Sequence, residues 1–494
     1  MKVLIVTGRL AEEMVRSRAA WADVLVLDVD VAAFITPQML MAAKPKGYDL
    51  ILIPGAITAD FREAEKVLDT IIRLGPKHAA DIGLVLRHLD DFELSTSIPA
   101  CVLMQSRLLQ RAEDEEVRLE RTAGAAMQIK GVKIGGSSRM KVLAEIVDAT
   151  RLKAGVLVEK IRYYEEQGAD MIDLGIPLDA LPDQVREAML TAREATELPV
   201  SVDTTLPDLI LAGLDAGADL VLSLNGQNLS AVGGAVSRAE VPAIVIPGPG
   251  PISLEENLTL ASKFGIPVIA DPVLDPPLQG LASSLQRYIL FHEENPATPL
   301  FFGVGNVTEL LDADTPGANA LLTALGAEVG ASLLFTPEYS AKAAGSIHEL
   351  RVASRMMFLA KARRSPPKDL GADLLILKEK RHLPEDEMPE KFISERADHK
   401  YVTDPAGSFR ISLTSDKILV RNRSMTIVGD NARDILNTII DAGAVSRLDH
   451  AGYLGRELEK AQTALRLKRS YWQDEQLFPA EKRSNNNSLV RRCG

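Results

Sequence analysis

The chain has 494 residues, a net charge of -12 and an ordinary globular composition, with 46% hydrophobic and 25% charged residues. Its length predicts about two to four domains, and its acidity argues against nucleic-acid binding. No run of 18 or more apolar residues is available to span a membrane. Two distant cysteines and an N-terminus, MKVLIVTG, that reads as a strand rather than a signal peptide favour a cytoplasmic location.

The first segment, residues 1–122, predicts a small flavodoxin-like or Rossmann-like α/β domain. Apolar runs alternate with helical patterns, which is typical of a parallel sheet covered on both faces. The sequence after the first strand, GRLAEE, does not match G-x-G-x-x-G, so a docking or scaffold role is favoured over nucleotide binding. Strands are predicted at Val3–Thr7, Val24–Asp28 and Leu50–Pro54, helices at Leu10–Ala20, Gln38–Ala43 and Asp60–Leu68, and a helical linker at Arg107–Thr122.

The central segment, residues 127–363, repeats a strand and a helix eight times, which predicts a (β/α)8 TIM barrel. Gly168 and Gly217 fit helix C-caps just before strands two and four. The Gly-rich stretch Lys130–Ser138 lacks the end of a P-loop and is interpreted as a turn or a hairpin at the barrel floor. The predicted strands are Val142–Asp148, Met171–Leu174, Val200–Asp203, Leu220–Asn225, Ala243–Ile246, Val268–Asp271, Leu300–Val304 and Ser332–Phe335.

The third segment, residues 368–478, predicts a C-terminal α+β domain, and residues 479–494 predict a disordered tail. His450, Tyr453 and Glu457 share one helical face, where a structural role is favoured over a metal site. Strands are predicted at Leu374–Leu377, Phe409–Leu413, Lys417–Val420 and Met425–Val428, and helices at Asn431–Asp441 and at His450–Leu465, the latter capped by Asp449.

Active sites of such barrels form at the carboxyl ends of the strands. Acidic and amide side chains occupy most of these ends, and carboxylates avoid burial unless they are paired or hydrogen-bonded. Asp203, Asn225 and Asp271 together are expected to hold a ligand rich in hydrogen-bond donors. Asp173, which a glycine and a proline follow, is expected to cap the next helix.

Four motifs in this order, GADMIDLG, LPVSVDT, GADLVLSLNG and IPVIADP, resemble the pterin-binding barrel family over residues 141–363. That family contains dihydropteroate synthases and methyltransferases that use methylated folate or methanopterin. The complete chain looks like the dihydropteroate synthase-like proteins of methanogens and methylotrophs that make tetrahydromethanopterin. The resemblance implies that Asp203, Asn225 and Asp271 hold a pterin, whose pyrimidine edge presents an amino group and a ring N–H side by side.

The resemblance also implies a metal and diphosphate corner after the first barrel strand. The corresponding residues are Asp148 and Thr150, and Asp is a suitable oxygen ligand for Mg²⁺. A helix N-cap is the alternative role for Asp148. Arg139, Arg151 and Lys342 are interpreted as phosphate contacts, and no catalytic residue is assigned.

The chain departs from the synthases at three loops. It has no Lys after strand seven, no Arg and His after strand eight, and no Arg in the loop after strand two. Asn306, after strand seven, is similar to the Asn with which methyltransferases of the family contact the pterin.

Two activities and one non-catalytic role therefore stay open. The first is a transferase joining a dihydropterin diphosphate to an arylamine, with a ribofuranosyl-aminobenzene phosphate as the amine if the methanopterin link holds. The second is a pterin-dependent methyltransferase with a corrinoid or other acceptor, and the third is a pterin-binding subunit. A pterin and an arylamine are the expected partners, with no nucleic acid and no membrane, and a homodimer is left open.

Overall fold

The computed structural model describes residues 1–248, 253–379, 388–395 and 402–478. Contacts divide the chain into two units, residues 1–384 and residues 385–494. The first unit contains both the N-terminal sheet and the barrel, so the finer boundary at residues 122–127 stays a prediction, and the tail at 479–494 lies outside the described residues. In the part of the chain described, no helix is both long and apolar enough to cross a membrane.

The N-terminal part is a four-stranded parallel sheet in the order β2-β1-β3-β4. Its central strands, β1 and β3, are fully buried, as their continuous Val, Ile and Leu composition predicts. The fourth strand was not predicted. The elements are β1 Val3–Thr7, α1 Glu12–Arg18, β2 Asp23–Val26, α2 Pro37–Ala43, β3 Leu50–Ile53, α3 Arg62–Leu68, β4 Ile71–Leu74, α4 Ile82–Arg87 and α5 Ala100–Thr122.

A closed barrel of eight parallel strands follows, and it confirms the predicted TIM barrel. Gly168 and Gly217 have φ values of 92° and 90°, which glycine adopts without steric cost at the turn from helix to strand. The elements are β7 Lys141–Ile146, α6 Ala154–Glu166, β8 Met171–Gly175, α7 Pro182–Ala195, β9 Val200–Asp203, α8 Pro207–Asp215, β10 Leu220–Leu224, α9 Leu229–Arg238, β11 Ala243–Val245, α10 Leu254–Lys263, β12 Val268–Ala270, α11 Leu281–Glu294, β13 Leu300–Gly303, α12 Gly305–Thr308, α13 Thr315–Glu328, β14 Ala331–Pro337 and α14 Ser346–Arg363.

Apolar side chains fill the lower part of the barrel interior. Leu143, Met171 and Leu220 form one buried cluster with residues of the preceding hairpin, β5 Met127–Ile129 and β6 Val132–Ile134. The hairpin therefore closes the amino-terminal end of the barrel, as predicted for the Gly-rich stretch. The carboxyl ends of the strands are therefore the side from which a ligand is expected to approach the interior.

The second unit contains a three-stranded antiparallel sheet and two helices that share one apolar core. Two of the predictions made for residues 368–478 are wrong. Residues 374–377 form no strand, and Arg447 rather than Asp449 precedes the last helix. The elements are β15 Arg410–Leu413, β16 Ile418–Arg421, β17 Thr426–Gly429, α15 Ala432–Asp441 and α16 Leu448–Arg466.

Candidate functional site

Three carboxylates meet above the apolar floor of the barrel. One oxygen from each of Glu145, Asp173 and Asp203 lies within 4.8 Å of the others. The strand register brings them together, because Glu145 pairs with Asp173 on the next strand and Gly175 pairs with Asp203. A Cβ atom at Gly175 would lie 2.7 Å from Glu145 Oε1, so a larger residue here would displace the end of the Glu145 side chain. We call these three residues the acid cluster.

Burial and mutual repulsion raise the pKa of each carboxyl group in the acid cluster. The cluster therefore carries less negative charge than three exposed carboxylates would. Burial, followed by the charges of Asp203 and Glu309, raises the pKa of Glu145 to about 8. Burial and the charge of Asp271 raise the pKa of Asp203 to about 7. Burial, with Asp203 and Glu145 beside it, raises the pKa of Asp173 well above its usual range. The cluster is therefore suited to binding a group that donates hydrogen bonds or carries positive charge.

The prediction that Asp173 caps a helix is wrong. Its side chain is fully buried inside the barrel, where Ser201 Oγ donates to its Oδ1 at 2.5 Å. Its other oxygen, Oδ2, is buried and has no hydrogen-bond partner among the described residues. An unpaired buried oxygen of this kind is costly unless a proton, an ion or a ligand compensates it.

Asp271 lies next to the acid cluster at the end of β12. Its Oδ1 accepts a hydrogen bond from the backbone N–H of Val273 at 2.8 Å, and the Tyr288 hydroxyl lies 2.8 Å from the same oxygen. Burial raises the pKa of Asp271 to about 6, although these two donors oppose the shift. The two donors fix the orientation of the carboxylate, so that Asp271 is preorganised for a ligand.

Asn225 is held in the loop after β10 by its neighbour Asn228. The backbone N–H of Asn225 donates to Asn228 Oδ1 at 2.9 Å, and Asn225 Oδ1 accepts from the Gln227 N–H at 2.9 Å. Asn228 Nδ2 in turn donates to the carbonyl groups of Thr205 and Ser223. The oxygen of Asn225 is thus engaged within the loop, and its NH2 group is the part left to meet a ligand.

The other predicted residues of the mouth lie on its rim. Asp148, in a left-handed conformation after β7, accepts from Arg151 at 3.2 Å, and Arg151 also pairs with Asp179. Thr150 lies in the same turn and Lys342, after β14, pairs with exposed Asp312. Asp148 makes no side-chain bond that would cap a helix.

Asn306 is the second residue of the short helix α12, which follows β13. Its Nδ2 donates to the Leu274 carbonyl at 2.9 Å, which ties together the loops after β12 and β13. A Cβ atom at Gly303 would lie 3.0 Å from this amide, so the glycine gives the Asn306 side chain its space.

The prediction that Arg139 contacts a phosphate is wrong. Arg139 precedes β7 and therefore lies at the amino-terminal end of the barrel, opposite the acid cluster. It is buried and forms ion pairs with Glu116 at 2.9 Å and with Asp170 at 2.5 Å. Buried and paired with two carboxylates at this end, the guanidinium serves the structure of the barrel and not a ligand at its mouth.

Sequence reasoning missed Glu145 and underrated Asp173. Each stands in a mostly apolar strand, two residues after an interior side chain, which is Leu143 in β7 and Met171 in β8. Because alternate residues of a strand share a face, this spacing places each carboxylate inside the barrel. This spacing was visible in the sequence, but its use required knowing which face of each strand points into the barrel.

Comparisons with known proteins give one family model, one curated relative and several solved barrels. The family model PterinBD-DUF4346 matches residues 403–474, which lie in the second unit. A dihydropteroate synthase of Yersinia pestis, solved with a pterine-sulfa conjugate, is 16% identical, with a TM-score of 0.39 over 48% of this chain and 98% of that chain. One from Coxiella burnetii, in complex with pteroic acid, is 18% identical, with a TM-score of 0.35 over 44% of this chain and 94% of that chain.

The curated relative is the protein of Methanocaldococcus jannaschii that carries the name Uncharacterized protein MJ0107. It is 38% identical over 97% of this chain and 99% of its own length. The alignment therefore includes both units and not the barrel alone. The chain belongs to the same family as this Methanocaldococcus jannaschii protein.

Proposed function

We propose that the barrel binds a pterin and that the chain is a dihydropteroate synthase-like transferase. The observation that carries the proposal is the set of poorly compensated carboxylates at the mouth, above all Asp203. Asp203 is only partly buried, and the described residues provide no hydrogen-bond donor to its carboxylate. A ligand edge with adjacent N–H donors would supply what the protein does not.

The pyrimidine edge of a pterin matches these groups. Asp203 and the second oxygen of Asp271 would accept from the amino group and the ring N–H, and the Asn225 amide would donate to the ring oxygen. Each charge-assisted hydrogen bond contributes about 1.5–3 kcal/mol. The four motifs of the barrel support the same ligand, and so does the name of the family PterinBD-DUF4346, although its match lies in the second unit.

The proposed reaction joins a dihydropterin diphosphate to an arylamine. The amine nitrogen bonds to the methylene carbon of the pterin, the C–O bond to diphosphate breaks, and the amine loses a proton to water. Arg151 and Lys342, the basic residues of the rim, would leave their present carboxylate partners to stabilise the departing diphosphate.

A magnesium ion fits this corner by the chemistry of its donors. Asp148 and Thr150 offer a carboxylate and a hydroxyl, which are the oxygen ligands that Mg²⁺ prefers. The ion would add positive charge where the diphosphate leaves.

The test is to incubate the full chain and Mg²⁺ with a dihydropterin diphosphate and each of two amines, 4-aminobenzoate and ribofuranosyl-aminobenzene phosphate. We expect diphosphate release, faster with the phosphorylated amine by about ten- to a hundredfold if one further charged contact is made. This preference would place the chain in tetrahydromethanopterin biosynthesis. Equal rates would remove that assignment, and no release with either amine would contradict the synthase.

Asn306 favours a second activity, a pterin-dependent methyltransferase. It lies at the mouth after β13, in the helix α12, and the segment from residue 303 to residue 311 carries no lysine. The matching experiment follows transfer of a labelled methyl group from a methylated pterin to a corrinoid. Transfer without diphosphate release would establish this alternative, whereas pterin binding with neither reaction would indicate a non-catalytic subunit.

We further propose a cytoplasmic location, on the ground of the two widely spaced cysteines.

A further inference from the structure

The second unit has a cleft of about 600 Å³ that the proposed barrel reaction does not use. The cleft lies between the chain leading into β15 and the amino-terminal half of α16. Its lining combines ionisable, polar and aromatic side chains: Val402, Asp404, Ser408, Phe409, Asp449, His450, Tyr453, Arg456, Gln473 and Asp474.

An Asp–His pair forms the centre of this cleft. His450 Nδ1 lies 2.8 Å from Asp404 Oδ2, and the two side chains are 13% and 2% exposed. Asp404 also accepts hydrogen bonds from the backbone N–H groups of Ala406, Ser446 and Arg447, and from Ser446 Oγ. Although burial would raise the pKa of Asp404, these donors hold it well below its usual range.

The pairing determines the chemistry of the imidazole. An ionised Asp404 can only accept, so Nδ1 of His450 carries the hydrogen. The remaining nitrogen, Nε2, is the ring atom available to the cleft. The imidazole stacks beside Tyr453, with ring centroids 6.2 Å apart, which fixes its plane.

Most other polar groups of the lining are already satisfied within the unit. Asp449 forms a two-point ion pair with Arg447. Gln473 bonds Ile411, Phe409 and Tyr453, and the Tyr453 hydroxyl also meets Asp474. These groups organise the walls of the cleft and are not free to recognise a ligand.

Three groups are left: Arg456 and the Ser408 hydroxyl can donate hydrogen bonds, whereas His450 Nε2 accepts in the neutral imidazole and donates only when it too is protonated. Arg456 is 69% exposed, lies over the Tyr453 ring at 5.6 Å and reaches Glu457 only at 3.7 Å. For His450 Nε2 and the Ser408 hydroxyl, no partner is found among residues 402–478. The apolar part of the lining, Phe409 and Val402, adds a surface for a hydrocarbon or aromatic body.

We propose that this cleft binds a small organic anion, a phosphate or carboxylate attached to an aromatic group. Arg456 and the imidazolium form of His450, with a proton on both ring nitrogens, contact the anion. Ser408 donates a further hydrogen bond, and the aromatic group packs against Phe409 and Tyr453. The site lies wholly within the second unit and does not depend on the function proposed for the barrel.

The test is calorimetric titration of the full chain with phenyl phosphate, benzoate and inorganic phosphate. We expect saturable binding of phenyl phosphate or benzoate, with inorganic phosphate weaker because it lacks the aromatic body. R456Q and H450N should each weaken binding about tenfold or more, since each removes a charged or polar contact. H450N leaves Asp404 its four other donors, so the unit is expected to keep its fold.

Two control variants locate the effect. Arg433→Gln removes an exposed arginine from α15 of the same unit and should leave binding unchanged. Asp203→Asn alters the barrel mouth and should also leave phenyl phosphate binding unchanged. No binding of any of the three anions, binding that R456Q and H450N do not alter, or binding of a neutral dihydropterin in their place would overturn the proposal.

Discussion

Asp203 is the residue on which pterin recognition most depends, because it has no donor from the described protein and faces the mouth. Asp203→Asn keeps the shape of the side chain but replaces an acceptor by a donor on one side. We expect a loss of about 1.5–3 kcal/mol in pterin binding, which is roughly ten- to a hundredfold. Calorimetric titration with a dihydropterin measures it, and Asp271→Asn should behave similarly.

Asp208→Asn is the matched control, since Asp208 is an exposed acid at the start of the helix after β9. The affinity of the Asp208→Asn variant for the dihydropterin should equal that of the unchanged chain. Equal affinity in Asp203→Asn would show that the pterin does not bind at this residue.

The raised pKa of Asp203 also predicts the pH dependence of binding. The free protein holds a proton on this carboxyl up to a pKa of about 7, whereas the pterin requires the ionised form. Affinity should therefore be constant above about pH 8 and fall as the pH drops through 7, by about tenfold per unit when one proton must leave. Titrations from pH 5 to pH 9 test this, and a flat profile would contradict it.

Glu145 makes a related prediction for stability. Its folded pKa, about 8, lies above its usual value of 4.5, so ionisation destabilises the folded state, and this cost grows as the pH rises between the two values. Glu145→Gln should therefore stabilise the protein by about 1–3 kcal/mol at pH 9 and leave it nearly unchanged at pH 4. Thermal unfolding at both pH values measures the difference. Glu159→Gln, an exposed acid on α6, should have no effect at either, and a loss of stability in Glu145→Gln at pH 9 would refute the explanation.

At the scale of elements, α5 and α14 are joined by a buried ionic network. Glu116 of α5 contacts Arg139 at 2.9 Å, Arg351 at 2.7 Å and Arg355 at 2.6 Å. The charges of these arginines and their hydrogen bonds outweigh burial and lower the pKa of Glu116. The carboxylate of Glu116 thus connects α5, the residues just before β7, and α14.

Removing the charge of Glu116 should destabilise the folded protein. Glu116→Gln leaves three arginines partly unpaired in a buried place, and we expect a loss of about 2–4 kcal/mol in the free energy of unfolding. Glu115→Gln is the neighbouring control, because its pair with Arg363 is more exposed and should be worth about 1 kcal/mol or less. Guanidinium unfolding followed by circular dichroism compares them, and equal losses would show that the network adds nothing beyond a surface pair.

The barrel elements could be predicted because the strands are mostly apolar, mostly buried runs, two of which directly follow a helix-ending glycine, Gly168 or Gly217. The strand Ile71–Leu74 was missed because it is short and carries Arg73. Conversely, Leu375, Ile376 and Leu377 are apolar yet 49%, 57% and 61% exposed, so hydrophobicity alone predicted a strand that does not form. Packing partners, which a local pattern does not contain, decide such cases.

Site residues at the ends of strands could be predicted from the sequence, whereas site residues within strands were harder to predict. Asp203 and Asp271 stand at predicted strand ends, and the structure places both at the mouth. Arg139 was misplaced because its charge suggested a phosphate contact, whereas its partners Glu116 and Asp170 are both distant from it in sequence. Long-range pairing of this kind is fixed by the fold and cannot be read from one segment.

At the scale of the whole molecule, the chain contains more than one apolar core. The core of the second unit includes Ile411, Ile418, Ile435 and Leu458, which are 3%, 0%, 3% and 0% exposed and come from the sheet and both helices. This core is separate from the cluster that packs the barrel helices against the strands. A unit with its own sheet, helices and core is expected to fold without the rest of the chain.

We therefore predict that residues 402–478 expressed alone unfold cooperatively on heating, although a domain of roughly 80 residues is only marginally stable. Leu458→Ala should remove about 2–5 kcal/mol by opening a cavity and should leave the fragment unfolded. Leu448→Ala on the same helix, at a side chain that is 93% exposed, should change stability by less than about 0.5 kcal/mol. Circular dichroism melts of the three fragments provide the measurement. If the unchanged fragment shows no transition, its stability must come from residues outside 402–478, and if both leucine variants melt alike, the core contacts of Leu458 do not hold the unit together.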